Sequence, residues 1–222
     1  MTTTPLSTSQ AAASLSALMR DGSTIEHREA EGSTFVARML DGQIDRAGYV
    51  AYLSRLRQIY EALERVGSAL SSTSVAAAVV DPVLYRLEAL EADLAFWGGP
   101  AASGSPDVAS PAAQAYVARI EQTMQAPHRY LAHHYTRYLG DLSGGQAIGR
   151  VISRTFTLPD GLGVQFYRFE QVPKPKLYKD AYRARLDALE LPEHVRADVV
   201  DEVRAAFGLN QAVFDELGRE FR

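Results

Sequence analysis

The longest apolar repeat in the sequence runs from Tyr49 to Leu70 at the 3.6-residue period of an α-helix. The side chains that share one face of this helix are Tyr49, Tyr52, Leu53, Leu56, Ile59, Tyr60, Leu63, Val66 and Leu70. Other windows show the same period, and none shows the sustained alternation of a β-strand. The pattern therefore predicts a long core helix within an all-α fold.

Prolines and glycines indicate where the other helices begin and end. An N-cap at Asp81 followed by Pro82 opens a predicted helix that ends at Gly98, and residues 98–114 form a long predicted loop. Further helices are predicted to begin near Pro111, Pro127, Pro175 and Pro192, with an interruption at 159–163. The total is seven or eight helices, and we expect a flexible N-terminus, residues 1–8, followed by one domain, residues 9–222.

Composition restricts the kind of site that this fold can carry. The 222 residues are 46% hydrophobic, enough for one substantial core, and the net charge of -4 argues against a nucleic-acid surface. The lack of cysteine excludes disulfides, thiolate ligands and CxxCH haem attachment, so a metal needs His, carboxylate or Tyr ligands. Neither a secretory signal nor a membrane-spanning run is apparent. We expect a cytoplasmic protein with no nucleic-acid or membrane partner.

The stretch YLGDLSGGQ, residues 138–146, places three glycines between two helical stretches. Each glycine inside a helix costs about 1 kcal/mol relative to alanine. On a helix, Arg137, Gly140, Asp141 and Gly144 fall on one face, where apolar side chains are expected. A helix break is one interpretation, and a phosphate-binding loop is not favoured because no Gly-Lys-Ser/Thr follows. The other interpretation is a flat ligand that lies against bare backbone.

A flat ligand such as haem needs an iron ligand on its second face. His27, in the stretch STIEHREAEGSTF, is the candidate, because imidazole is a common ligand for haem iron and cysteine is absent. Arg20 lies seven residues before His27 and Glu31 four residues after it, on the same face of a predicted helix. A surface histidine, or a hydrogen-bonded core histidine, is the alternative.

Several stretches together resemble a known family. YLGDLSGGQ, its lead-in YTRYLGD, EHREAEGSTF, YKDAYRARLDALEL and AAFGLNQAVFDEL are closely similar to bacterial and animal haem oxygenases. The resemblance extends from about Leu15 to Leu217 and implies a helical fold that holds haem b between a proximal and a kinked distal helix. It also implies oxidative cleavage of haem at a meso carbon to biliverdin, carbon monoxide and ferrous iron.

The resemblance implies roles for individual residues around the haem. His27 would be the axial iron ligand and Glu31 its hydrogen-bonding partner, while Gly140 and Gly144 would let the distal backbone approach the haem. Asp141 would hold the water network that delivers protons to the oxygen bound at the iron. The resemblance implies that the further members of this network are Arg137, Tyr60 and Asn210.

The resemblance also implies how the haem is oriented and which partners the protein needs. Arg20, Tyr135, Lys179 and Arg183 match positions that bind the haem propionates. The other implied haem contacts are Ser143, Phe207 and Phe214. Dioxygen is the oxidant, and because no dinucleotide-binding fingerprint follows a strand, the electrons must come from an external donor such as ferredoxin or a flavoprotein reductase. Arg20 stands where lysine is frequent in the family, and Gly22 lies inside the expected proximal helix.

Simpler interpretations of the same residues stay open at this stage. The basic run between Lys174 and Arg185 is typical of a solvated helix, Asp141 of a solvated charge, and Asn210 of a satisfied structural amide. A non-catalytic haem-binding or haem-storage protein on the same fold is the main functional alternative. A di-iron helical oxidase is not favoured, since none of the five histidines has Asp or Glu three residues before it.

Overall fold

The computed structural model describes residues 13–98 and 109–221, and the predicted flexible segment 1–8 lies outside them. The described residues form eleven α-helices and no strand, which confirms the all-α prediction. The helices are α1 (Leu15–Gly22), α2 (Thr24–Glu31), α3 (Thr34–Leu40), α4 (Arg46–Leu70), α5 (Ser74–Ala77), α6 (Leu87–Gly98), α7 (Pro111–Gln122), α8 (Pro127–His134), α9 (Gln146–Thr155), α10 (Pro175–Asp187) and α11 (Glu193–Glu220). Most of the loop predicted at 98–114 also lies outside the described residues.

Helix α4 is the predicted core helix and lies at the centre of the fold. Its N-terminus is capped by the Asp45 carboxylate, which accepts a hydrogen bond from the backbone N–H of Gly48 at 2.7 Å. The predicted apolar face of α4 is buried and packs against α6 and α7. Helix α11, the other long helix, contacts α1, α2, α3, α7 and α8. These two helices therefore support the shorter helices around them.

The predicted helix from Pro82 to Gly98 is wrong at its start. Asp81 caps only a single 3-10 turn, Pro82–Leu84, and α6 begins at Leu87. The backbone N–H groups of Arg86 and Leu87 donate to the Glu64 carboxylate of α4, at 2.5 and 3.0 Å. Since Glu64 is distant in sequence, the spacing of prolines and apolar residues did not indicate this cap.

The predicted number of helices is too small, in part because the chain is broken where a longer helix was expected. The proximal stretch divides at Ser23, which has φ -122° and ψ 18°, so Gly22 ends α1 instead of lying inside a helix. The Ser23 hydroxyl donates to the carbonyl of Met19 at 2.7 Å. Arg20 and His27 therefore lie on consecutive helices, α1 and α2, and not on one continuous helix.

Candidate functional site

The glycine stretch remains helical, so the alternative of a helix break is wrong. Between α8 and α9 the backbone forms two π-helical turns, Tyr135–Leu139 and Asp141–Gly145, and helical conformation continues from Pro127 to Thr155. We call residues 127–155 the glycine helix. Its π turns widen the backbone locally, as is frequent where helices carry functional groups.

The glycines of this helix serve two different surfaces. A Cβ atom added at Gly140 or Gly144 would meet no atom within 4 Å, apart from the helix's own backbone and the adjacent residues. A Cβ added at Gly145 would lie 3.2 Å from the Tyr167 ring, and one at Gly149 would lie 2.9 Å from the Tyr167 Cβ. Gly140 and Gly144 thus border open space, whereas the other two glycines allow Tyr167 to pack closely.

The open space is a cleft with two connected parts. The outer cavity, about 480 Å³, reaches Arg20, Tyr135 and Arg183. The inner cavity, about 140 Å³, reaches Asp141 and Tyr167. The residues that line both cavities are His27, Thr136, Gly140, Gly144 and Phe207. The cleft therefore runs from a basic mouth, past His27 and the bare glycines, to the buried carboxylate.

His27 is exposed on α2 and its imidazole lines the cleft. Its ring lies edge-on to Phe207 of α11, with the ring centroids 5.2 Å apart, and this contact restricts the orientation of the imidazole. The His27 backbone N–H donates to the carbonyl of Ser23, the N-cap of α2, at 3.0 Å, so His27 lies in the first turn of that helix. Glu31 ends α2, and its side chain lies outside the described part of the structure.

A buried polar network surrounds Asp141. Tyr60 of α4 donates its hydroxyl hydrogen bond to the Asp141 carboxylate, and Arg137 Nη2 lies 3.5 Å from the same carboxylate. The Arg137 guanidinium also donates to the Tyr60 hydroxyl at 3.2 Å and to the Asn210 side-chain oxygen at 2.7 Å. The structure thus brings the four predicted network residues together, from α4, the glycine helix and α11.

The environment of this network determines the proton affinity of Asp141. Burial raises the pKa of the Asp141 carboxyl above its ordinary value, although Arg137 and Tyr60 oppose this shift. Asp141 is only 8% exposed, so the simple alternative of a solvated charge is wrong. Asn210 is also buried, and its amide nitrogen donates to the Ala206 carbonyl at 3.1 Å, in addition to its bond with Arg137. Its structural role and its predicted network role are therefore compatible.

Cationic groups gather at the mouth of the outer cavity. Arg20 and Arg183 line it together with the half-buried Tyr135 and with Asp21, whose carboxylate accepts a hydrogen bond from Arg20 Nε at 2.8 Å. Lys179 reaches it indirectly, because its ammonium donates to the Ser143 hydroxyl at 2.8 Å and Ser143 is a lining residue. Burial, followed by the charge of Arg183, lowers the pKa of Lys179. This arrangement favours an anionic group at the mouth.

The predicted aromatic contacts divide between the two cavities. Phe207 lines both, while Phe214 lines only the inner one, where its ring lies 6.2 Å from that of Tyr52. Sequence reasoning missed Tyr52 and Tyr167 as cleft residues. Tyr52 was assigned only to the core stripe of α4, and Tyr167 follows the break at 159–163 with no periodic signal of its own.

Thr136 was also missed as a lining residue. Its hydroxyl is buried and has no hydrogen-bond partner among the described residues. Thr136 lines both cavities. The only sequence signal for it was its place in the YTRYLGD stretch, two residues before Tyr138. An unpaired polar atom that borders a cleft is typical of a ligand or water site.

The cleft fits a flat ligand with an iron centre and an acidic edge. Open space lies beside Gly140 and Gly144, His27 supplies an imidazole, and the mouth is cationic. Across the described residues, no group of three or more His, Asp or Glu side chains that could hold a metal ion is found. No helix in that same part of the chain is long and apolar enough to cross a membrane.

Fold and cleft together define a helical protein with one imidazole-bearing face and one glycine-lined face around a buried carboxylate. The family model for haem oxygenase matches residues 13–216. The chain is 37% identical over 206 residues to "Heme oxygenase 1" of Rattus norvegicus, covering 91% of this chain and 71% of that one. It is 35% identical over 201 residues to "Heme oxygenase 1" of a Nostoc species, covering 90% and 84%. The chain belongs to the haem oxygenase family.

Solved structures agree with this assignment. Heme oxygenase-1 of a Synechocystis species, solved in complex with heme, superposes with a TM-score of 0.88 at 33% identity over 94% of both chains. The heme oxygenase of Leptospira interrogans superposes with a TM-score of 0.85 at 34% identity, covering 92% of this chain and 100% of that one.

Proposed function

We propose that this chain is a haem oxygenase that opens haem b at a meso carbon, giving biliverdin, carbon monoxide and ferrous iron. Dioxygen is the oxidant and an external donor supplies the electrons. The observation that carries the proposal is the buried Asp141 carboxylate between two glycines that leave open space, on a helix facing the same cleft as His27. Burying a carboxylate makes folding less favourable, and a protein that only binds haem has no need for one at this position.

In this proposal the cleft residues hold and orient the haem. His27 is the iron ligand and Glu31 orients its imidazole. Phe207 and Phe214 pack against the macrocycle, and Ser143 contacts it on the side of the glycine helix. The haem propionates are held at the cationic mouth by Arg20, Tyr135, Lys179 and Arg183. Gly140 and Gly144 have no side chains, so only their backbone atoms restrict the space above the macrocycle. In this proposal the position of that backbone selects the meso carbon that is attacked.

The chemistry that bound haem supplies is activation of dioxygen at its iron. The protein supplies the proton. Asp141 accepts a hydrogen bond from Tyr60 and lies beside the Arg137 guanidinium, which Asn210 in turn holds. The raised pKa of Asp141 brings it closer to neutral pH, where a carboxyl exchanges protons with water most readily. Water molecules between Asp141 and the haem complete the path in this proposal.

We further propose that the electron donor is a ferredoxin or a flavoprotein reductase and that the protein works in the cytoplasm. The support for the choice of donor is a basic surface at the start of α10, since Lys174, which precedes the helix, and Lys176 are exposed and lie outside the cleft lining. Positive side chains around the mouth favour association with an acidic donor and bring it close to the haem edge.

The test compares Asp141→Ala and Asp141→Asn with Asp160→Ala, a matched control whose carboxylate is 95% exposed. Each variant is loaded with haemin and supplied with ferredoxin and its reductase, or with ascorbate. Both Asp141 variants should bind haem with close to wild-type affinity, while biliverdin yield falls by about 100-fold or more. Normal yield from both Asp141 variants would remove the proton path. Haem binding by the wild type without any biliverdin would instead establish the storage alternative.

A further inference from the structure

The inner cavity has a polar end formed by two phenols that lie beside the Asp141 network. Tyr52 of α4 and Tyr167 of the 3-10 turn Gln165–Tyr167 both line it. The remaining wall at this end is apolar, formed by Val36, Met39, Ile148 and Phe214. Two phenols in an otherwise apolar wall need an explanation, since phenylalanine would fill the same volume without a polar atom.

The Tyr167 hydroxyl is the clearest case. Tyr167 is 3% exposed, and its hydroxyl makes no hydrogen bond of normal geometry among the described residues, although the side chains of Tyr49 and Tyr52 lie near it. Burial raises the pKa of Tyr167 well above its ordinary value, and the neighbouring groups Tyr49, Tyr52 and Asp141 add to the shift. The phenol therefore stays protonated and retains a hydrogen that it can donate. A buried donor without an acceptor is destabilising unless water or a ligand satisfies it.

The cavity is large enough and polar enough to hold water. One water needs about 10–15 Å³ of accessible volume and two to four polar partners. The inner cavity offers about 140 Å³. The titratable or charged groups around it are His27, Tyr52, Arg137, Asp141 and Tyr167. Water placed there can accept a hydrogen bond from a phenol and donate one to the Asp141 carboxylate.

We propose that Tyr52 and Tyr167 hold ordered water in the inner cavity, and that this water extends the Asp141 network as its proton reserve. The role of this water as a proton reserve rests on the proposed function, whereas its binding in the cavity does not require haem. Tyr52 and Tyr167 are then positioning residues: they fix the water that donates to Asp141 and do not themselves touch the reacting atoms. Tyr167 holds its place because Gly145 and Gly149 let its ring pack against the glycine helix.

The first experiment tests the water in the full chain without haem. A high-resolution crystal structure of the wild type should show ordered water within hydrogen-bond distance of the Tyr167 hydroxyl, and Tyr167→Phe should lose it. If water satisfies the hydroxyl, Tyr167→Phe should not raise the melting temperature of the haem-free protein. A dry cavity, together with a higher melting temperature for Tyr167→Phe, would overturn the proposal.

The second experiment tests the purpose of the water. Tyr52→Phe and Tyr167→Phe are compared with Tyr130→Phe, a control whose hydroxyl donates to the Leu63 carbonyl at 2.9 Å and does not line the cleft. We expect haem affinity within about twofold of wild type. Biliverdin yield should fall about threefold to tenfold, less than for loss of Asp141. The midpoint of the pH titration of the ferric haem Soret band should shift in these two variants and not in the control.

The outcomes separate the two proposals. If the wild type forms no biliverdin but the haem-free crystal contains the water, the proposed function fails and the water site stands. If biliverdin forms normally in Tyr52→Phe, Tyr167→Phe and the double variant, with an unchanged pH midpoint, the inference fails and the proposed function stands. Should Tyr167→Phe fail to fold, Tyr52→Phe alone decides the question by the same measurements.

Discussion

Alanine at Gly140 or Gly144 should stabilise the haem-free protein and damage the haem complex. The added methyl group would meet no atom within 4 Å, so the haem-free fold has room for it. Gly140 has φ -61° and ψ -50°, a conformation that alanine adopts without strain. The helix preference of alanine then raises the free energy of unfolding by about 0.8–1.0 kcal/mol. For a chain of this size that corresponds to a rise of about 2–4 °C in melting temperature.

The same methyl group would occupy space that the haem is proposed to fill. Overpacking at a tight contact costs about 1–3 kcal/mol, so the dissociation constant for haem should rise by roughly 5- to 150-fold. Urea unfolding and thermal melts measure the first effect, and haemin titration followed by chromatography of the bilin measures the second. Opposite signs for stability and binding in one variant are the signature of a ligand-facing glycine.

Two further glycines provide matched controls. Gly208 of α11 also has open space around its added Cβ but does not line the cleft, so Gly208→Ala should be stabilising with normal haem binding. Gly149→Ala should destabilise the haem-free protein, because its Cβ would lie 2.9 Å from the Tyr167 Cβ. Wild-type haem binding and biliverdin formation in Gly140→Ala and Gly144→Ala, or a destabilised haem-free fold, would show that these glycines do not face the haem.

Three other variants test separate parts of the molecule. His27→Ala should weaken haem binding and largely abolish turnover, with partial recovery on adding imidazole, whereas an unchanged haem spectrum would contradict its role as ligand. The charge reversal of Lys179 and Arg183 to Glu should lower haem affinity or change the bilin isomer ratio; wild-type affinity with the same single isomer would assign these cations elsewhere. Burial lowers the pKa of His134 to about 3, so the unfolded chain binds a proton below pH 6.5 that the folded chain does not. The free energy of unfolding should therefore fall by up to about 1.4 kcal/mol for each pH unit as the pH is lowered from about 6.5 to 3. Urea denaturation at several pH values should show a weaker pH dependence in His134→Gln, whereas the exposed His194→Gln should behave as the wild type does.

The sequence was sufficient for features that repeat locally or lie within one motif. The apolar period predicted α4, and the spacing of Arg137, Gly140, Asp141 and Gly144 placed these residues on one helical face, although the actual turns are π-helical. Family resemblance added Tyr60 and Asn210, which come from two other helices, and the structure brings both to Arg137. The assigned roles of these residues stay predictions.

The features that sequence reasoning missed depend on contacts between distant segments. Glu64 caps α6 from α4, more than twenty residues away, and no local pattern records such a partner. The backbone break at Ser23 is an exception, because Asp21, Gly22, Ser23 and Thr24 are residues that favour turns and helix caps, and this local signal was read as part of one helix. Tyr167 enters the inner cavity from an irregular connection, and Asp93 fixes that connection by accepting the backbone N–H groups of Gln165 and Phe166, each at 2.8 Å. Periodicity has no means of relating these positions.

The two π turns make the length of the glycine helix as important as its composition. A π turn closes a hydrogen bond to the fifth residue along the chain, so it accommodates one residue more than an α-helical turn. Deleting one residue within either π turn would let that turn close as an α-helical turn, so α8 and α9 could keep their packing while the segment that carries Gly140 and Gly144 becomes shorter. A one-residue deletion in the regular part of α9 would instead rotate the rest of that helix by about 100°. The same deletion therefore has different consequences inside and outside the π turns.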